Sequence, residues 1–167
     1  MNRQKFIRGS LLGLTTTFFM PAFTFSQSSK KSLGQLDVKL VKKFVTAGHS
    51  NLKLVKEMLQ EHPNLIYSAY DWGNGDFEEA IEGAGHLGNK EIVNYLISQG
   101  ARPNLFILAM LGKTGLVKPV LETYPELIQA KGPHGLTLLH HALIGEASDL
   151  VDYLKEKGLT KRMIKIK

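Results

Sequence analysis

The sequence predicts an all-α chain, a solenoid of about four helix-turn-helix repeats, on three observations. An apolar pair recurs as Leu54-Val55, Ile92-Val93, Leu116-Val117 and Leu150-Val151. Each is followed by further apolar residues, Met58-Leu59, Leu96-Ile97, Val120-Leu121 and Tyr153-Leu154, so positions i, i+1, i+4 and i+5 form one helical face. Upstream of each lies a short segment built around a small residue: Ala47, Ala84, Ala109 or Ala142. A helix pair of this size cannot bury its apolar face alone, so neighbouring pairs must stack.

In chain order, residues 1–26 have the layout of a secretory signal. Arg3, Lys5 and Arg8 open it, an apolar run from Leu11 to Phe23 follows, and Thr24-Phe25-Ser26 offers small residues before Gln27. The run is too short and polar for a comfortable membrane span. Export to the periplasm or beyond is therefore expected, with cleavage before Gln27. "NRQKFIR" also resembles a twin-arginine signal, with Gln4 where the second arginine would stand. Residues 27–36 read as a flexible lead-in, 37–158 as the repeat domain, and 159–167 as a basic, solvated tail.

Within the repeat domain the first helices fall in "FVTAGHSN", "EGAGHLGN", "FILAMLGK" and "HHALIGEA". The second helices meet stop signals at Pro63, Gly100, Pro125 and Gly158. Asn89 stands where it caps a second helix. Lysines 39, 42, 43, 53 and 56 give the first repeat the polar outer face of a terminal cap. The repeats begin 38, 24 and 34 residues apart, and the short middle interval leaves little room for a β-hairpin. Pro119 falls inside the third repeat's second helix, which is expected to start late or bend there.

Composition narrows the function classes. The net charge is +6, but Arg3, Lys5 and Arg8 supply three of these charges ahead of the first acid, Asp37. The rest is weakly basic, with no basic stripe interleaved with aromatics, so a nucleic-acid partner is not expected. Cysteine is absent, which excludes disulfides, thiolate metal sites and cysteine nucleophiles. There is no G-x-S-x-G, phosphate-binding loop, dinucleotide fingerprint or H-E-x-x-H. Neither cofactor nor metal is expected, and a monomer is.

The chain resembles the ankyrin repeat. Gly135-Leu136-Thr137-Leu138-Leu139-His140-His141-Ala142 follows the family's G-x-T-P-L-H-x-A with leucine in place of proline, and "AGHLGNKEIVNYLISQGARPN" is close to its second helix and Gly-Ala exit. "DWGNGDFE", "GARPNLFILAMLGK" and "GPHGLTLLHHA" together look like a group of small bacterial ankyrin-type proteins. The resemblance implies non-enzymatic protein binding through a concave face, with Thr137, His140 and Ala142 as the structural signature of the repeat. On that basis the partner-binding candidates are Tyr70, Trp72, Asp76, Phe77, Glu78, Phe106, His134 and His141. His134 reads as a turn-tip residue, and His141 takes a variable position facing the groove. The acids Asp71, Asp76, Glu78, Glu79 and Glu82 surround the only tryptophan, but glycines stand where a calcium loop needs oxygen ligands. Their bland reading is a loop leading into a helix N-terminus. The alternative function is an envelope metal-dependent or hydrolytic protein using His134, His141 and the acidic 71–82 loop.

Overall fold

The computed structural model describes residues 34–166. The expected signal peptide and residues 27–33 of the lead-in lie outside these, as does Lys167. The described residues are mostly helical, with eight α-helices and one two-stranded sheet.

Most of the helices start where the chain supplies a side-chain oxygen for their free N–H groups; α6 and α8, which follow Lys113 and Ala147, do not. α1 (Val38–Gly48) begins after Asp37, whose carboxylate accepts from the N–H groups of Lys39 and Leu40 at 2.8 and 3.1 Å. Asn51 caps α2 (Leu52–Glu61) and Asn89 caps α4 (Lys90–Ser98) through Leu54 and Ile92. Asn104 accepts from Phe106 and Ile107 at the head of α5 (Leu105–Met110). Thr137 opens α7 (Leu138–Ile144), and α8 (Ser148–Glu156) ends at Gly158 with φ +89°. The expected positions of the second helices are met by α2, α4, α6 (Thr114–Thr123) and α8.

At Pro119 the expected late start is corrected. α6 starts at Thr114 and runs through Pro119 without a break in the helix, so it does not start late. The carbonyl that proline leaves without a donor belongs to Gly115, and both residues are exposed, so water serves it. A methyl group at Gly115 meets nothing within 4 Å. Gly115→Ala should therefore raise stability by about 0.5 kcal/mol, read as a higher urea midpoint at unchanged slope.

The packing follows a regular order. α1 contacts α2 and α3 (Ala80–His86); α3 contacts α4 and α5; α5 contacts α6 and α7; α7 contacts α8. Ala84, Ala109 and Ala142 are fully buried and Ala47 nearly so, as small residues at close helix approaches should be. Two apolar clusters result. Phe44, Val45, Val55, Leu65, Ile81, Val93 and Leu96 belong to the first, and Val117, Leu121, Leu138, Leu139, Leu150 and Leu154 to the second. α5 joins both, giving Ile107 and Met110 to one and Ala109 to the other.

The connections differ from one another. A hairpin of β1 (Ala69–Asp71) and β2 (Phe77–Glu79) joins α2 to α3, whereas α4 reaches α5 with no strand. Short 3-10 turns, Pro125–Gln129 and Pro133–Gly135, lead into α7. The closing segment corrects the expectation of a free tail. Leu136 bridges to Met163, the Thr137 N–H donates to the Arg162 carbonyl at 3.0 Å, and the Ile164 N–H donates to the Gly135 carbonyl at 2.8 Å. Lys161, Arg162 and Lys165 stay exposed while the backbone of residues 162–164 is tied down. Among the described residues no helix is long and apolar enough to cross a membrane.

Candidate functional site

The site begins with the alternation of β2. The hairpin pairs Tyr70 with Glu78 and Asp71 with Phe77, and its turn uses Gly73, Asn74 and Gly75 at positive φ. Successive strand residues face opposite sides. Phe77 therefore stands out, 59% exposed, while Glu78 is turned inward with none of its surface exposed. Glu79 then heads α3, its N–H donating to Glu82 at 2.8 Å, as an acidic lead-in to a helix should.

A buried carboxylate needs partners. Glu78 Oε2 accepts from Trp72 Nε1 at 2.8 Å. Trp72 stacks edge-on against Tyr70, and Lys42 of α1 lies over both rings at 5.6 and 5.3 Å. Glu78 Oε1 faces three histidines: His86 Nδ1 at 3.1 Å, His134 Nε2 at 3.5 Å and His49 Nε2 at 3.6 Å. These four atoms all lie within 4.8 Å of one another. They come from four separate segments: the residue ending α1, strand β2, the last residue of α3, and the 133–135 turn.

Each part is held from outside. His49 Nδ1 is 3.1 Å from the Val45 carbonyl and therefore donates to it. Gly83 leaves room for that ring, since a Cβ there would come within 2.7 Å of His49 Nδ1. The His134 N–H donates to Asp76 Oδ1 at 2.8 Å, and His134 Nδ1 lies 2.8 Å from Asp76 Oδ2. His134 sits at φ +59°, a left-handed conformation that this double anchor offsets. The His86 carbonyl accepts from His140 Nε2 at 2.8 Å. Burial alone would raise the Glu78 pKa; His86 against the carboxylate, charge at His49 and the Trp72 hydrogen bond outweigh it and hold the pKa below the ordinary value.

The structure sorts the sequence candidates. Trp72, Asp76, Glu78 and His134 come together in this cluster, with Tyr70 beside it. Asp76, Phe77 and Phe106 line an open cleft with Glu82, Lys131 and Pro133. Two contact assignments are corrected. Glu78 is enclosed by its histidines and Trp72, so it cannot meet a partner at the surface. His141 is 1% exposed and its Nδ1 is 2.9 Å from the Thr137 carbonyl, because the helix turns it into the packed side against Phe106. The alternative built on His134, His141 and the acidic loop thus keeps its first and last parts only. His140 is hydrogen-bonded at both its backbone and its ring. Its N–H donates to Thr137 Oγ1 at 3.4 Å, and its ring reaches the His86 carbonyl.

His49 and His86 escaped the sequence reading, which looked for histidines one helical turn apart. A signal was present: Ala47-Gly48-His49 and Ala84-Gly85-His86 are the same tripeptide, at the ends of α1 and α3.

No family model matches the chain. An alignment of 80 positions that covers 42% of this chain is 39% identical to alpha-latrocrustotoxin-Lt1a of Latrodectus tredecimguttatus. The match spans 6% of that protein's length.

Proposed function

We propose that the chain is an ankyrin-like stack of four helix pairs and works as a non-enzymatic protein-binding module of the periplasm or cell envelope. The order of helix contacts supports the stack, with α1, α3, α5 and α7 meeting in sequence and each carrying its own second helix. The capped Thr137 and the scaffold role of His140 agree with it, as does the partial match to a much longer protein.

One observation carries the binding reading. Phe77 and Phe106 line a cleft together with Asp76, Lys131, Pro133 and Ile166. Asp76 is engaged by His134, and both Glu82 oxygens accept hydrogen bonds, from Glu79 and Asn104. The carboxylates of the cleft are thus already engaged, which leaves its two phenyl rings and Lys131 to meet a partner. A partner's apolar side chain, seated between the two rings, is the ligand it suits. The surroundings are already ordered, so binding would immobilise little.

The test is site-specific photo-crosslinking in the native envelope, from position 77 and from the remote, exposed position 155 on α8. A single protein crosslinked from position 77 alone is expected. Phe77→Ala should then weaken its affinity about tenfold or more. Equal labelling from both positions, or an affinity unchanged by Phe77→Ala, would overturn the reading.

A further inference from the structure

We propose that His49 Nε2, Glu78 Oε1, His86 Nδ1 and His134 Nε2 form a binding site for one divalent transition-metal ion of the zinc class. The inference is independent of the protein-binding reading.

Proton placement is the first argument. His49 Nδ1 faces the Val45 carbonyl and His134 Nδ1 faces the Asp76 carboxylate, so both carry their hydrogens there. In the neutral rings their Nε2 atoms carry lone pairs, and both face the carboxylate oxygen Glu78 Oε1 at 3.6 and 3.5 Å. Lone pair against lone pair is repulsive unless a cation lies between them. Outer partners that fix the tautomer in this way, a carbonyl for one ring and a carboxylate for the other, are those that metal-bound histidines use.

The second argument is missing hydrogen bonds. Glu78 Oε1 and His86 Nδ1 are both buried and neither has a hydrogen-bond partner, although they are 3.1 Å apart. Their approach is off the hydrogen-bonding axis. Native proteins rarely leave two adjacent buried polar atoms unsatisfied, and one ion would satisfy both.

Third, the spacing fits. Ligand atoms about 2.0–2.1 Å from a tetrahedral zinc ion lie about 3.4 Å from each other. The three nitrogens stand 3.1, 3.5 and 3.6 Å from Glu78 Oε1. Three imidazoles and one carboxylate suit a borderline ion rather than calcium or magnesium, which prefer oxygen throughout. Charge alone is a poorer answer, because it needs several imidazolium rings crowded around one carboxylate. His49 and His86 have ring centroids 4.9 Å apart, and His86 and His134 5.4 Å.

Four protein ligands complete a tetrahedral shell, as in structural rather than catalytic zinc sites. The ion would clamp the end of α1, the hairpin, the end of α3 and the 133–135 turn to one point. Such a clamp ties residue 49 to residue 134 across the helix pairs.

The test uses the full chain, stripped with chelator and then offered zinc(II) or cobalt(II). One equivalent of zinc should survive gel filtration, and the melting temperature should rise by about 10 °C at a thousandfold excess over Kd. Cobalt should give the intense visible absorption of a four-coordinate ion. Glu78→Gln and the partly exposed His49→Gln should each lower metal retention at least tenfold, with His62→Gln, outside the cluster, behaving as wild type. Circular dichroism confirms the fold of each variant. Failure of the wild type to retain metal, a six-coordinate cobalt spectrum, or full retention by both folded cluster variants overturns the proposal.

Discussion

Gly145→Ala should destabilise the protein by about 3 kcal/mol or more, enough to threaten its folding at physiological temperature. Gly145 ends α7 against the end of α5, and a Cβ there would overlap the Met110 carbonyl oxygen and stand 2.6 Å from its carbon. These are backbone atoms of a buried residue, so no side chain can swing aside. The backbone at Gly145 is ordinary, at φ −83°, so the cost comes from contact and not from conformation. α5 bridges the two apolar clusters, and pushing α7 away from it opens both. Urea denaturation of the variant beside Gly115→Ala provides the measurement. The two changes add the same methyl group and should shift the midpoint in opposite directions.

Below neutral pH a second large loss is expected, from His141. Burial, the largest influence, pushes its pKa down to about 4, although the Thr137 carbonyl draws it upward. In the unfolded chain it titrates near 6.5. Between these values the unfolded state takes a proton that the folded state refuses, so stability falls as pH falls through this window and levels off below it. The full loss is about 3 kcal/mol. His140 is displaced in the same direction, chiefly by burial. Glu79 and Glu82, raised by burial, act with the opposite sign above their ordinary value. His141→Gln should lower stability at pH 7.5 yet flatten its decline toward pH 4.5. Parallel curves for variant and wild type would show that His141 is not the group responsible.

The helices were legible because their signals are local. Asp37, Asn51, Asn89 and Asn104 each cap the helix that follows, and the apolar pairs repeat at helical spacing. Pro119 misled because the sequence does not say which side of α6 meets water. The site was half legible. Trp72, Asp76, Glu78 and His134 lie in short, unusual stretches and drew notice. That Glu78 and His141 are buried depends on strand alternation and helix phase, which are fixed only once neighbouring helix pairs have packed. His49 meets Glu78 across 29 positions, and His86 meets His49 and His134 across 37 and 48, beyond the reach of any spacing rule.

The docked closing segment sets a timetable for the growing chain. The turn that presents His134 rests on backbone bonds from Gly135 and Thr137 to residues 162–164. Those residues are translated about 30 codons after His134, a delay of a few seconds at ordinary synthesis rates. Until then the first two helix pairs can fold and bring His49, Glu78 and His86 together, but the fourth member arrives on a turn still waiting for its brace. A chain cut short before Arg162 would carry every one of the cluster's side chains but lack the backbone bonds that brace the turn bearing His134.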